Sequence, residues 1–323
     1  MKFPKLFAAL AAFAAATCLA GAAQGAFPDK PIRFIIPFPP GGSTDTLGRM
    51  VARGMSDKLG QPVIVENLAG AGGALGVQNV ARSNPEGYTL LFTVSGPITL
   101  IPLVNKAVRY KMEDLEPIGI VAHTPLLLVV PSGSPWKSLN DLVVAGKATK
   151  KDNFASPGIG SVTHVASETV NLQAGTQFQH IPYKGTPDIL IAMAAGDVQW
   201  YTIAGIDGKG PVADGRLRPL ATLSLERSPN FPSIPTMQEQ GVAGFDISAW
   251  FGVFAPREIP AQNREVLNSA VKAVMNDPAF VNRMKEFGAD VKPDDADIGK
   301  VKTFLGQERA SYEKTVKALN LSQ

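Results

Sequence analysis

The feature that most constrains this chain is a regular exchange between short apolar, β-branched runs and helix-patterned stretches, with glycine-rich loops between them. Ile32-Arg-Phe-Ile-Ile-Pro-Phe38 reads as a strand and Asp45 to Leu59 as a helix. Val63-Ile-Val65 predicts a short strand, Gly73 to Ser83 a helix, and Thr89-Leu-Leu-Phe-Thr-Val94 a third strand. Strands this apolar need cover on both faces, so the intervening helices argue for an α/β fold with a parallel sheet.

A second alternating region follows. Strands are expected at Leu126 to Val130, Asn153 to Ala155, Phe178 to Ile181, Val198 to Ile203 and Leu217 to Leu223. Helices are expected at Ser138 to Ala148, Val162 to Ala174 and Pro187 to Ala195. The C-terminal part then reads as helical at Asn263 to Asn276, Pro278 to Phe287 and Ile298 to Leu319, with Asp277-Pro278 as a capped start. Two α/β units predict two lobes with a ligand cleft between them, at the carboxyl ends of the strands. Crossing segments are expected near His123-Thr124-Pro125 and Asp246 to Trp250. That assigns residues 26–124 and 247–323 to lobe 1 and residues 125–246 to lobe 2.

The N-terminus reads as an export signal. Lys2 and Lys5 precede an apolar run from Leu6 to Leu19, and Ala23-Gln24-Gly25 fits a small-x-small cleavage site. The run is too short for a membrane span and leads into a processing site, so residues 1–25 are expected to be removed near Gly25-Ala26. Cys18 is the sole cysteine and falls in the apolar run, which leaves a mature chain without disulfides or thiol chemistry. A periplasmic location accommodates this. The chain has 31 Lys plus Arg and 28 Asp plus Glu, and loss of Lys2 and Lys5 leaves 29 cationic residues against 28 acidic ones. With no block of like charge, nucleic acid and anionic membrane surfaces are poor partners.

Several strand-to-helix loops have the chemistry of an anion site. Pro37-Phe38-Pro39-Pro40-Gly41-Gly42-Ser43-Thr44-Asp45 joins two glycines and two hydroxyls to a helix start. Free N–H groups and the positive end of the dipole there hold an anion without Lys or Arg. An ordinary capped turn uses the same groups, and the residues alone leave the two readings open. Ala155-Ser156-Pro157-Gly158-Ile159-Gly160-Ser161 repeats this chemistry in the second unit, so opposed loops could grip one anion from both sides. Ser95-Gly96-Pro97 and Tyr183-Lys184-Gly185-Thr186-Pro187 are further loops of this kind. The glycines of Gly70-Ala-Gly72-Gly73-Ala-Leu-Gly76 do not fit a dinucleotide fingerprint, because Leu75 stands where the third glycine belongs.

The chain resembles the Bug/TctC family, the extracytoplasmic solute receptors of tripartite tricarboxylate transporters. The resemblance rests on Phe34-Ile-Ile-Pro-Phe-Pro-Pro-Gly-Gly-Ser-Thr-Asp45, Val65-Glu-Asn67, Gly70-Ala-Gly-Gly73, Pro85-Glu-Gly-Tyr-Thr-Leu90, His180-Ile-Pro-Tyr-Lys-Gly185 and Trp250-Phe-Gly-Val-Phe-Ala-Pro256. It implies a two-lobed periplasmic-binding-protein fold that closes on a small organic carboxylate, held largely by backbone N–H groups, hydroxyls and water. The site residues it implies are Phe38, Gly41, Gly42, Ser43, Thr44 and Asp45 from one lobe. From the other it implies Ser156, Gly158, Gly160, Ser161 and His164, with Ser95, Tyr183 and Thr186 as outer candidates. It also implies the membrane components of a tripartite transporter as partners, and the receptor is expected to be a monomer without a cofactor. Docking on a sensor-kinase ectodomain stays open as an alternative.

Two departures from the family pattern bear on the ligand. Gln199-Trp-Tyr-Thr-Ile-Ala-Gly-Ile-Asp207 stands where an Asp-Asn pair is common, and Ser156-Pro157-Gly158-Ile159 replaces a more polar loop. Both predict a pocket suited to a carboxylate with an apolar or aromatic body; the roles of Asp207, Lys184 and Trp200 stay open. Trp200, Tyr201, Trp250 and Phe251 read first as core aromatics. His123, His164 and His180 form no metal-ligand spacing. A secreted hydrolase using Ser161 and His164, one helical turn apart, is the remote alternative; no nucleophile elbow accompanies the pair and Ser161 suits a helix cap better. No catalysis is expected.

Overall fold

The computed structural model describes residues 27–148 and 151–321. The expected export signal therefore lies outside the described residues. The strands are β1 (Ile32–Ile36), β2 (Val63–Asn67), β3 (Thr89–Val94), β4 (Leu115–Pro131), β5 (Asn153–Ser156), β6 (Gln179–Pro182), β7 (Trp200–Ala204), β8 (Leu217–Thr222) and β9 (Ser248–Pro256). The α-helices are α1 (Ser43–Leu59), α2 (Ala74–Ala81), α3 (Ser95–Thr99), α4 (Ile101–Val104), α5 (Leu139–Ala148), α6 (Val162–Ala174), α7 (Thr186–Ala195), α8 (Gly205–Ala213), α9 (Ala261–Met275), α10 (Pro278–Phe287) and α11 (Ile298–Ala318).

The strands follow the order β2-β1-β3-β9-β4-β7-β5-β6, with β8 paired to β4. The pairs β1–β2, β1–β3, β5–β6 and β5–β7 are parallel, as the buried apolar runs predict. The expectation of a parallel sheet fails at the centre, where β9 is antiparallel to β3 and β4, and β4 is antiparallel to β7 and β8. The reason is β4, which is far longer than the expected Leu126 to Val130. Its residues 115–125 pair with β9, and its residues 126–131 pair with β7 and β8.

Pro117 and Pro125 disguise this strand, since proline withholds a ladder donor. Pro117 sits beside a register shift between Pro117 and Gly119. Pro125 is the last residue paired to β9, and Leu126 is the first paired to β7. The chain thus places a residue without an N–H where the strand changes partners. At the same level Thr124 faces Ala249 and Pro125 faces Ser248, so the two segments that join the halves run side by side.

Each half has cores on both faces of its sheet. Ile32, Phe34 and Ile36 pack with Leu47, Val51, Phe92, Leu267 and Val271, while Ile35 faces the other way toward Val77, Trp250 and Leu305. This is why β1 is apolar almost throughout. Phe34, Phe92 and Phe251 stack at 5.8 and 6.3 Å between ring centres. In the second half, Leu126, Leu128, Phe154 and Trp200 face one core, and Leu127, Val129, Tyr201 and Ile203 the other. Helix α11 touches both halves: Val301 and Leu305 join the first, and Tyr312 and Val316 join the second. Asp277 caps α10 as expected, accepting from the Ala279 N–H at 2.9 Å.

Candidate functional site

The first loop is built around a buried carboxylate. Helix α1 starts two residues before the expected Asp45, with Gly42 as its cap and no side chain bonded to the first amides. The hydroxyls of Ser43 and Thr44 therefore do not cap it, and the helix start keeps its donors for other use. Asp45 is buried and turns back to hold the loop. Gly41 N–H and Arg49 Nε donate to its Oδ2, both at 3.0 Å, and Asn67 Nδ2 donates to its Oδ1 at 2.8 Å. Asn67 also donates to the Phe38 carbonyl at 3.0 Å. Burial pushes the Asp45 carboxyl up, but the bonds from Arg49, Gly41 and Asn67 outweigh it and hold the group below its ordinary range. Gly41 adopts φ +89°, a backbone region that glycine reaches without strain.

The second loop is strapped from below. Ser161 caps α6: its Oγ accepts the His164 N–H at 3.2 Å and donates to the Gly158 carbonyl at 2.8 Å. Ser156 is fully buried, with Oγ 2.7 Å from His180 Nε2 and accepting the Gly158 N–H at 3.2 Å. The His164 ring is 2% exposed and lies 4.1 Å from the His180 ring, in contact with Phe154. The Gly160 N–H donates to His164 Nδ1 at 3.4 Å. Burial, reinforced by His180, pushes His164 down to about 3, and burial pushes His180 down to about 4, so both rings are neutral at ordinary pH. His164 thus lies beneath the loop as a support. The Ser161–His164 nucleophile pair does not form: Ser161 Oγ meets the His164 backbone, and the ring nitrogen serves Gly160.

The Ser95–Pro97 turn meets the second loop. A Cβ on Gly96 would lie 3.4 Å from the Val162 nitrogen and 3.6 Å from both the Gly160 carbonyl oxygen and Ser161 Cα. Gly160, at φ +82°, leaves only 2.5 Å between such an atom and Val104. Beside them Ser95 is buried, and its Oγ has no hydrogen-bond partner. On the first half, a Cβ on Gly73 would meet Pro97 at 2.8 Å and Phe38 at 3.2 Å, so Phe38 is drawn toward the Ser95–Pro97 turn. A second meeting point lies at the start of α8, where Asp207 is close enough to the Ser43 side chain to feel it. Burial pushes Asp207 up to about 6, against the pull of Ser43. The Tyr201 hydroxyl lies 3.4 Å from Thr186 Oγ1, and burial pushes its phenol up.

The structure thus brings Phe38, Ser95, Gly160 and Ser161 to the Ser95–Pro97 turn, and joins Thr186 to Tyr201. Tyr183 is set apart. Its backbone N–H bonds the Ser156 carbonyl at 2.8 Å, but its side chain lines a shallow surface groove with Lys184, Asp188 and Ile191. Trp200 is a core residue, as read: it is fully buried against Phe154 and Phe178 and adds no apolar wall to the cleft. Trp250 and Phe251 are core residues, as read. Sequence reasoning missed the supporting roles of Asn67 and His180 and the approach of Asp207 to Ser43. Asn67, in the Val65-Glu-Asn67 segment, and His180, in the His180–Gly185 segment, carried a signal.

The chain matches the model of the tripartite tricarboxylate transporter family receptor over residues 47–321. Protein BugT of Bordetella pertussis is 36% identical over 297 residues, 90% of each chain. The solved structure of the periplasmic binding protein BugD is similar with a TM-score of 0.85 at 30% identity, covering 92% of this chain and 99% of that one. MatC from Rhodopseudomonas palustris, solved with bound malate, has a TM-score of 0.84 at 28% identity, covering 90% of this chain and all of that one. The expected binding-protein fold is met by these likenesses.

Proposed function

Because this chain belongs to the tripartite tricarboxylate transporter receptor family, and is therefore a solute-binding receptor and not an enzyme, we propose that it captures a small organic carboxylate in the periplasm and delivers it to the membrane components of such a transporter. The observation that carries this reading is the convergence of uncommitted donors. Helix α1 begins without a side-chain cap, Ser95 Oγ is buried without a partner, and the Gly160–Val162 backbone packs on the neighbouring Gly96. An anion satisfies such groups without a basic residue, through oriented amides and the helix dipole. The malate held by MatC supports the same ligand class here.

The two lobes of this reading are residues 26–124 with 247–323, and residues 125–246. They hinge where β4 and β9 cross between the halves. The last turns of α11 pack on the second lobe and limit the swing. Residues 1–25 act as the cleaved export signal, and the mature receptor works as a monomer. The ligand carries an apolar body as well as a carboxylate, because Pro157 and the exposed Ile159 replace polar groups at the loop. Calorimetric titration with malate, adipate and benzoate tests this. Binding of adipate or benzoate in preference to malate is expected. Binding of malate alone would reject the apolar body, and binding of none would reject the carboxylate reading.

A further inference from the structure

Where the chain crosses between the halves, one buried hydroxyl ties them together. Thr124 is 1% exposed and stands just before Pro125, the last residue of β4 paired to β9. Helix α8 begins at Gly205, directly after β7, and has no side-chain cap of its own. The Thr124 hydroxyl serves instead, accepting the Ile206 N–H at 3.0 Å. It also donates to the Gly288 carbonyl, just past α10, at 3.3 Å. A hydroxyl has one hydrogen to give and lone pairs to accept with, so both bonds are made together. One side of the tie is fixed within the first lobe: the His123 N–H donates to the Asp290 carbonyl at 2.8 Å, and the Asp290 N–H to the His123 carbonyl at 2.7 Å. Other contacts cross between the lobes at the same place. Asn230 Nδ2 donates to Asp290 Oδ1 at 3.0 Å, and Lys209 of α8 donates to the Lys285 carbonyl on α10. The Phe231 ring fills the space at Gly288 and Gly205, where an added Cβ would lie 2.9 and 2.8 Å from it. Ile206 itself packs on the core of the first half.

We propose that Thr124 is a positioning residue for ligand capture, the pin of an interlobe clasp whose hydroxyl holds the second lobe in the arrangement that closes on the ligand. This rests on the reading of the molecule as a two-lobed carboxylate receptor. The bond from Ile206 is made in the arrangement in which the Ser95–Pro97 turn of the first lobe touches the Gly160–Val162 backbone of the second. A swing that parts this contact turns the start of α8 about the crossing strands, and a hydrogen bond weakens steeply with such misalignment. The cost is raised by burial, which leaves a donor and an acceptor without water to replace the partner. The clasp therefore favours the closed arrangement before the ligand arrives, and apparent affinity scales with the fraction of molecules in the competent arrangement. Thr124 acts through the angle between the lobes and not through contact with the ligand.

The test compares wild type, Thr124→Val and Thr124→Ser. Each is titrated calorimetrically with malate, adipate and benzoate, and its radius of gyration is measured by small-angle X-ray scattering without ligand. Val keeps the shape and removes the hydroxyl, whereas Ser keeps the hydroxyl. Thr124→Val is expected to bind about tenfold more weakly and to be larger than wild type without ligand. Thr124→Ser is expected to match wild type in both. A merely structural role for the hydroxyl would lower the melting temperature of Thr124→Val and move neither reading. Unchanged affinity in Thr124→Val, an unchanged ligand-free radius, or a loss that Thr124→Ser shares overturns the inference and leaves the carboxylate reading intact. A wild type that binds none of the acids overturns the carboxylate reading, and the ligand-free radius then decides the inference by itself. Should Thr124→Val fail to fold, Asn230→Ala, which cuts only the crossing bond to Asp290, takes its place. It is expected to bind about threefold more weakly and to enlarge the ligand-free protein, and the absence of either change overturns the inference.

Discussion

Replacement of Glu308 by Gln should stabilise the protein at alkaline pH and leave it unchanged in acid. Glu308 lies on α11 between the turns that pack on the two halves, and both its oxygens accept the indole N–H of Trp250, at 3.0 and 3.1 Å. Trp250 itself is fully buried on β9. Burial pushes the carboxyl up to about 7, against the bond from Trp250. A carboxyl raised in the folded state favours folding fully below its unfolded value near 4.5, and this contribution is lost as pH rises through about 7. The full shift corresponds to about 3 kcal/mol. Glu308 keeps part of its surface in solvent, so about 2 kcal/mol is the expected size after screening. Gln keeps an oxygen for the Trp250 N–H and carries no charge to desolvate. Thermal melts of both proteins from pH 4 to 8.5 should show the variant gaining about 4 °C at the alkaline end and nothing at the acid end. A variant destabilised equally at both ends would show that the carboxyl is not held out of water, and the reasoning would fail.

Two further substitutions probe the loops. Asp45→Asn replaces an acceptor of three donors by a group with one acceptor oxygen, and leaves one of Gly41, Arg49 and Asn67 facing an amide N–H. Loss of about 1–3 kcal/mol of stability by denaturant titration is expected, with about tenfold weaker carboxylate binding by calorimetry. Gly160→Ala forces a side chain onto a backbone at φ +82° and brings Cβ to 2.5 Å from Val104. It should weaken binding at least tenfold while lowering the melting temperature only slightly, because strain there falls where this loop meets the Ser95–Pro97 turn; unchanged affinity would place the anion away from this loop.

Much of the fold was legible because buried parallel strands and their helices carry a strong pattern. Ile35 and Phe34 are both buried, on opposite faces, and that is what an unbroken apolar run encodes. The long strand that crosses between the halves was harder to read. Leu115–Pro125 hides behind two prolines and a glycine, and its partner β9 is remote in sequence. Helix α8 was missed because Gly205-Ile-Asp-Gly-Lys-Gly-Pro211 has poor helix propensity and is held by packing on α10 and β4. For the site, hydroxyls and glycines before a helix picked out the loops that start α1 and α6, but not which of their groups are bonded within the loop. Sequence gives His164 and Ser161 helical spacing; only the fold shows the His164 ring set against His180 and bonded by the Gly160 N–H, with the Ser161 hydroxyl on the His164 backbone. The approach of Asp207 to Ser43 spans both halves, and no local pattern encodes it.

The position of β9 between β3 and β4 also sets an order of assembly. As the chain is made from its N-terminus, β1 to β3 are complete early, yet the strand that covers β3 arrives only with Phe251 to Phe254. The middle strands, from Leu126 to Thr222, can close their part of the sheet from contiguous sequence. Until β9 is made, Leu91-Phe-Thr-Val94 presents a bare apolar edge of high β-propensity, the kind that pairs with another chain. The half of the molecule that begins the sequence is therefore the last to finish folding. A nascent chain stopped short of Ser248 is the form most exposed to aggregation, and the one a holding chaperone would have most reason to grip.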